Sequence, residues 1–203
     1  MVGPQDPSAR GAKCGILGAM PLVRDTFCSF CGTKYPEAPS YPRSCPSCKT
    51  TVWSNPVPVC VVLAQIVDGG RTGLLVIRRA IPPAIGKLAL VGGFLEDHES
   101  WQEGAAREVV EETGVKVDPA TLEQLWWSSS SPKPNRVLMF SVAPPQPVEG
   151  LVPFAPDPEA SERGLIFGPE GLDEVFAFSL HTEAARKYFA SRAITGPHGF
   201  VPR

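Results

Sequence analysis

Three hydrophobic patterns run along this chain, and each predicts a different element. Residues 58–67 (PVCVVLAQIV) are a continuous run rich in β-branched side chains, which predicts a buried strand. Asp68-Gly69-Gly70 turns it back into a second strand over 73–79 (GLLVIRR), closed by Arg78 and Arg79. A loop over 80–87 holds Pro82-Pro83, and a short strand over 88–91 leads to Gly92. The period then changes to 3.6. Ala106, Val109, Val110 and Thr113 make an apolar helix face, Arg107, Glu108, Glu111 and Glu112 occupy the other side, and Gly114 ends the helix. Asp118-Pro119 is a turn, and 122–131 (LEQLWWSSSS) is a strand running into a polar loop. A further turn over 132–135 leads into a strand over 136–143 (RVLMFSVA). Six prolines within 144–158 predict a loop, and 165–167 an edge strand. Residues 179–192 form an amphipathic helix with Leu180, Ala184, Tyr188 and Phe189 inward and His181 as a surface or capping residue, before a mobile tail.

The acidic face of the central helix carries the chemistry. Positions i, i+3 and i+4 share a face, so Glu108, Glu111 and Glu112 converge, and the Glu108–Glu112 pair costs the helix a few tenths of a kcal/mol. Three carboxylates without Cys or His among them suit a hard cation such as Mg2+ or Mn2+. A solvated acidic face is the bland alternative. Against it stands the whole stretch from Gly93 to Val115. Written G-x5-E-x7-R-E-U-x-E-E-x-G-U, with U aliphatic, it resembles the Nudix box at Gly93, Glu99, Arg107, Glu108, Val109, Glu111, Glu112, Gly114 and Val115.

That resemblance implies an α/β fold, the Nudix α/β/α sandwich with a mixed sheet, over residues 56–192, and a nucleotide pyrophosphohydrolase. It implies that Glu108, Glu111, Glu112 and the Gly92 carbonyl hold Mg2+ or Mn2+, and that Glu112 orients or deprotonates the attacking water. Arg107 resembles the arginine that fixes a box glutamate, Glu99 or Glu111. Outside the box, Glu162 is the first candidate for a further base or ligand and Glu159 the second. One of Arg78 and Arg79 faces the cleft, where a guanidinium grips a phosphate. Trp126 and Trp127, adjacent on a strand, face opposite sides, so one is core and Trp127 is the candidate for stacking on a base. Phe94 is placed with these substrate-side residues.

Residues 25–55 carry Cys28-Ser-Phe-Cys31 and Cys45-Pro-Ser-Cys48. Two C-x2-C knuckles make a closed four-thiolate site, which resembles a zinc ribbon with structural Zn2+. Disulfides and a catalytic zinc are the competing readings; four thiolates leave no open position for the latter. Cys60 is a core thiol, and Cys14, in a flexible leader over 1–24, has no partner. The domain layout is therefore leader 1–24, ribbon 25–55, Nudix domain 56–192 and tail 193–203.

Composition narrows the partners. The chain has 203 residues, 43% hydrophobic and 20% charged, with net charge -2 and 23 prolines. Nothing there attracts nucleic acid or an anionic membrane, so neither is expected as a partner. No run approaches the ~18 apolar residues of a membrane helix, and a secretory signal is not recognised, so an intracellular, cytoplasmic setting is expected. NADH pyrophosphatases share the four-cysteine ribbon, but the Ser-Gln-Pro-Trp motif downstream of their box is missing here. The pattern Phe154-Ala-Pro-Asp-Pro-Glu159-Ala-Ser-Glu162 with Phe176-Ala-Phe-Ser179 looks more like the ribbon-bearing enzymes that act on ADP-ribose or FAD. Val91 and Leu88 depart from the proline and tryptophan frequent at those positions. The expected substrate is thus a small nucleotide, ADP-ribose or FAD, cleaved to release AMP. The alternatives are an NADH or NAD-capped RNA pyrophosphatase, or a non-catalytic nucleotide- or partner-binding protein. A homodimer is implied by the resemblance alone.

Overall fold

The computed structural model describes residues 25–37, 40–131 and 135–203, so the leader and Cys14 lie outside the described residues. The chain divides into two compact units, 1–54 and 55–203.

In the first unit, β1 (Arg43–Ser44) and β2 (Thr51–Val52) pair antiparallel. Its buried cluster among the described residues is Cys28, Tyr35 and Cys45. The Arg43 guanidinium stacks 3.5 Å from the Tyr35 ring centroid and donates to the Asp25 carbonyl. So small an apolar interior cannot by itself offset the entropy of ordering the segment.

The second unit runs β3 (Val57–Asp68), β4 (Arg71–Arg79), β5 (Leu88–Phe94), α1 (Trp101–Thr113), β6 (Glu123–Ser129), β7 (Arg136–Pro147), β8 (Ala160–Ile166), α2 (Leu172–Val175), α3 (Ser179–Ser191) and β9 (Val201–Pro202). The sheet order is β6-β7-β3-β5-β4-β8-β9; β3 and β7 run parallel and the other pairs antiparallel. Helices on both faces complete the expected α/β/α sandwich. Alternate residues of β3 explain its unbroken apolar run. Cys60, Val62 and Ile66 pack under α1 with Ala105 and Val109, while Val61 and Leu63 pack under α3 with Ala184, Tyr188 and Phe189.

The placement of β5 sets up the site. β3 and β4 pair as a hairpin only near their turn, from Gln65↔Leu74 to Asp68↔Arg71. Beyond that point the arms part and β5 wedges between them. Its first half pairs with β4 (Arg78↔Leu88 to Val76↔Leu90) and its second half with β3 (Val62↔Val91 to Val59↔Phe94). The strand expected to end at Val91 therefore continues through Gly92 and Gly93.

At the crossing, the Leu90 N–H donates to Nδ1 of His181, 3.2 Å away. His181 is thus a buried acceptor rather than a surface or capping residue, packed against the Phe140 and Phe178 rings. The buried stripe of α3 runs 181, 184, 185, 188, while Leu180 is only half-buried. Burial pulls His181 down to about 3. The sign follows: below about pH 6.5 the unfolded chain takes up a proton that the folded chain refuses, so stability is lost as pH falls from there toward 3, by at most ~1.4 kcal/mol per pH unit. His181→Asn keeps an acceptor near that position without the titration. Urea midpoints of variant and parent should converge as pH drops from 7.5 to 5; parallel profiles would remove His181 from the account.

Other expectations are corrected. Val110 is exposed, and α1 buries Gly104, Ala105 and Ala106 with Val109 and Thr113 instead. β7 continues through Pro144, Pro145 and Pro147, which are accommodated beside a register shift against β3. β8 begins at Ala160 and is not an edge, because residues of the supposed mobile tail form β9 against it (Leu165↔Val201, Gly164↔Pro202). The tail is pinned further by main-chain bonds from Phe167 N to His198 O and from Glu170 N to Gly196 O, and by the Arg203–Asp68 ion pair.

Candidate active site

Ser100 starts α1 with a capping box: its hydroxyl accepts from Glu103 N–H while the Glu103 carboxylate accepts from Ser100 N–H. Ser100-x-x-Glu103 is the sequence signal for this start. Gly114, at φ 73°, ends the helix in the left-handed region. Between these caps, Glu108 and Glu112 lie on successive turns facing the glycine pair of β5.

The two glycines do different jobs. Gly92 sits at φ 151°, where an added Cβ would lie 2.1 Å from the Cys60 carbonyl oxygen. An added Cβ on Gly93 would lie 2.4 Å from Oε1 of Glu108, so the missing side chain is the space that carboxylate fills. Gly92 N–H donates to Oε2 of Glu112 at 2.9 Å.

Arg107 gathers the rest. Its Nε and one terminal nitrogen form a two-point pair with Glu99 at 3.1 and 2.7 Å. The other terminal nitrogen reaches Glu108 at 2.8 Å and Glu111 at 3.0 Å. The Phe94 carbonyl accepts a further bond at 3.0 Å. Both Glu99 and Glu111, offered as alternative partners by the sequence, are bound, and Glu108 with them. Glu99 also accepts from Glu96 N–H, and these bonds, the Arg107 ones first, hold its carboxyl below the usual range. Desolvation works the other way on the helix glutamates. It raises Glu108 and pushes Glu112 up to about 8. The neighbouring charge of Glu159 raises both, and that of Arg79 lowers Glu112. An all-oxygen set of partly desolvated carboxylates beside a backbone strand fits a hard divalent cation, whose charge offsets the cost of ionising them.

The off-box candidates separate. Glu162 is tied to Arg78 at 2.7 Å, its cross-strand partner on β4. Glu159, the second choice from sequence, is the one whose charge reaches Glu108 and Glu112. Arg78 also donates to the Gly86 carbonyl, and Arg79 to carbonyls of Ile81, Pro82 and Pro83. Trp126 stacks on Phe140 at 5.2 Å, while Trp127 is 63% exposed on the opposite side of the strand. The Phe94 ring is exposed, with Arg136 5.6 Å from its centroid. Phe94 joins the carboxylate cluster through its main-chain carbonyl.

In the first unit the thiols of Cys28, Cys31, Cys45 and Cys48 all lie within 4.8 Å of one another, the one such group among the described residues. The separations of 3.8 Å (Cys28–Cys48) and 3.6 Å (Cys31–Cys45) exclude disulfides at these pairs. They match the ~3.8 Å edge of a tetrahedron with metal–sulfur bonds of ~2.3 Å. The knuckles are built alike: Cys28 N–H bonds to Thr33 O and Cys45 N–H to Thr50 O, with Gly32 and Lys49 at φ 72° and 61° in equivalent places. Amides of Cys31 and Phe30 lower Cys28, and the Thr33 hydroxyl and amide bring Cys31 to about 6, which favours thiolates at these two, while burial raises Cys45. The cluster is compatible with a zinc-binding module. Cys60, in the second unit, is buried, its thiol pushed up to about 11 by desolvation.

The box geometry yields one prediction directly. Gly93→Ala must displace the Glu108 carboxylate, a side-chain end that can move, so the fold should persist while turnover falls ~100-fold, the scale of a misplaced reacting group. Activity within threefold of the parent would show that the glycine is not making that space.

Comparison with known proteins agrees with this geometry. A family model described as NUDIX domain matches residues 56–189. The crystal structure of a NUDIX hydrolase from Nitrosomonas europaea superposes with TM-score 0.61 at 27% identity, over 85% of this chain and 96% of that one. The NUDIX domain of Shewanella oneidensis NrtR, solved with ADP ribose, is alike in fold (TM-score 0.55, 15% identity, 69% of this chain and 90% of that one). Among curated sequences, the NAD-capped RNA hydrolase NudC of Deinococcus radiodurans is 34% identical over 120 residues. That match takes in 58% of this chain and 41% of the relative, so the chain spans about two fifths of the relative's length.

Proposed function

We propose, because the chain belongs to the Nudix family, that it is a divalent-cation-dependent pyrophosphohydrolase. It opens the diphosphate of an ADP unit linked to a second moiety and releases AMP. One observation carries this reading: a single guanidinium, Arg107, holds Glu99, Glu108 and Glu111 at 2.7–3.1 Å while Glu112 rests on the Gly92 amide. A solvated acidic helix has no reason to desolvate two of its glutamates, nor to leave a glycine-sized gap for one of them.

The bound cations would be held by Glu108, Glu111, Glu112 and the Gly92 carbonyl, and would supply charge neutralisation of the diphosphate and an acidified water. The chain's own residues do the rest. Arg107 fixes the orientation of Glu108 and Glu111 so that little reorganisation is needed as charge develops. Glu112 and Glu159, whose charge raises Glu112, are the candidate proton acceptors, with Glu159 preferred to Glu162 because Arg78 already occupies the latter. Arg79, whose charge reaches Glu112, is preferred to Arg78 for the phosphate. Trp127 offers an exposed ring for a base, and Phe94 remains a second candidate. The four thiols of the first unit hold one structural Zn2+.

ADP-ribose or FAD is the first substrate reading, on the pattern downstream of the box. The likeness to NudC favours NAD(H) or NAD-capped RNA as the second. The test is a panel of ADP-ribose, FAD, NADH and NAD-capped RNA with Mg2+ or Mn2+, products identified by mass, with Glu159→Gln and Glu162→Gln alongside. AMP from ADP-ribose or FAD, lost in Glu159→Gln, supports the first reading. Preference for NADH or capped RNA replaces it with the second, and a larger loss in Glu162→Gln returns the base to that residue.

A further inference from the structure

The end of α1 poses an electrostatic problem. The negative end of the helix dipole falls on its last turns, and those turns carry Glu108, Glu111 and Glu112 with no basic residue in the last turn. Arg107 counters the charge from the outer side. On the inner side stands Arg163, on β8, 2% exposed. Among the described residues no Asp or Glu side chain is bonded to it. Instead each guanidinium nitrogen donates to a different main-chain oxygen: Nε to that of Arg203 at 3.1 Å, one terminal nitrogen to that of Val152 at 2.7 Å, and the other to that of Thr113, the last residue of α1. The Phe154 ring lies 5.6 Å away. Val152 also abuts the helix end: a Cβ on Gly114 would sit 2.7 Å from its methyl group.

A buried cation with no acidic side chain beside it is costly unless every one of its donors is engaged, as these are. Here it supplies the cation that the C-terminus of α1 lacks and ties that end to β8 and to the 152–154 segment. Thr113 adjoins Glu112, whose carboxylate must meet the Gly92 amide across the sheet–helix gap. We propose that Arg163 is a positioning residue of the box, fixing the last turn of α1 so that Glu112 is held against Gly92. The three separate nitrogens of a planar fork span these three oxygens, which the single nitrogen of an ammonium does not.

Hydrogen–deuterium exchange on the full chain, compared among the parent, Arg163→Lys and Arg163→Met, tests this. Both variants should exchange the amides of 110–115 about tenfold faster or more, with β3 and β4 amides unchanged, as expected for a local opening. Arg163→Lys keeps the charge and is the variant that decides if Arg163→Met fails to fold. In the kinetic arm, which rests on the hydrolase reading, kcat should fall ~10- to 100-fold with KM within about twofold in both variants. Unchanged exchange at 110–115, exchange raised equally across β3 and β4, or full activity in Arg163→Lys would overturn the assignment. If the parent turns over no substrate, the hydrolase reading falls and the exchange result still decides the role of Arg163.

Discussion

Glu112→Gln should lower turnover by roughly three orders of magnitude, the scale of losing a positioned proton acceptor, while the protein keeps or gains thermal stability. Both halves come from the same desolvation. The Glu112 carboxylate is pushed up to about 8 because burial disfavours its charge. A carboxyl raised in the folded state costs stability above its ordinary range, near pH 4.5, and that cost is removed as pH falls or the charge is deleted. Gln keeps an oxygen to accept the Gly92 N–H bond and carries no charge, so at pH 7 the metal-free variant should melt no lower than the parent. Steady-state kinetics beside a thermal melt checks both. Turnover within tenfold of the parent would remove Glu112 from the chemistry, and a sharp drop in melting temperature would make its role structural.

Cys45→Ser should release the metal and unfold residues 25–54 while 55–203 stay folded. Cys45 is fully buried, and with Cys28 and Tyr35 it forms the unit's whole described core. A module with so little apolar surface depends on its metal for folding. Elemental analysis should find about one zinc per parent chain, as for a closed four-thiolate site, and none in the variant. Proteolysis should then cut within 25–54 first. Retained zinc, or resistance to cleavage there, would contradict the structural role.

What was legible in the sequence was what is local. The box spans one helix and the strand before it, so its spacing survives translation into space: Arg107 and Glu111 are i, i+4 neighbours and are found 3.0 Å apart. The same holds for the two knuckles. Features that depend on partners distant in the chain were hidden. Nothing in Phe200-Val201-Pro202 announces a strand, since its ordering comes from the unpaired edge of β8 and from Asp68. Glu162 was placed ahead of Glu159 because its engagement by Arg78, which lies on another strand, is not written in the sequence. Pro144 and Pro145 argue for a loop by composition, yet a register shift against β3 accommodates them. His181 could have been found: 181, 184, 185 and 188 form an i, i+3, i+4, i+7 stripe, and of the positions read as inward Ala184, Tyr188 and Phe189 are buried while Leu180 was taken in place of His181.

The most direct test of the central claim is phosphorus NMR of ADP-ribose and FAD, each incubated with the zinc-loaded protein and Mg2+. The diphosphate resonances should give way to two monophosphate resonances, one of them AMP, and the reaction should stop when Mg2+ is chelated. Diphosphate resonances that persist with folded, Mg2+-supplied protein, for these and for NADH, would contradict a hydrolase and leave the Arg107 cluster as a binding site.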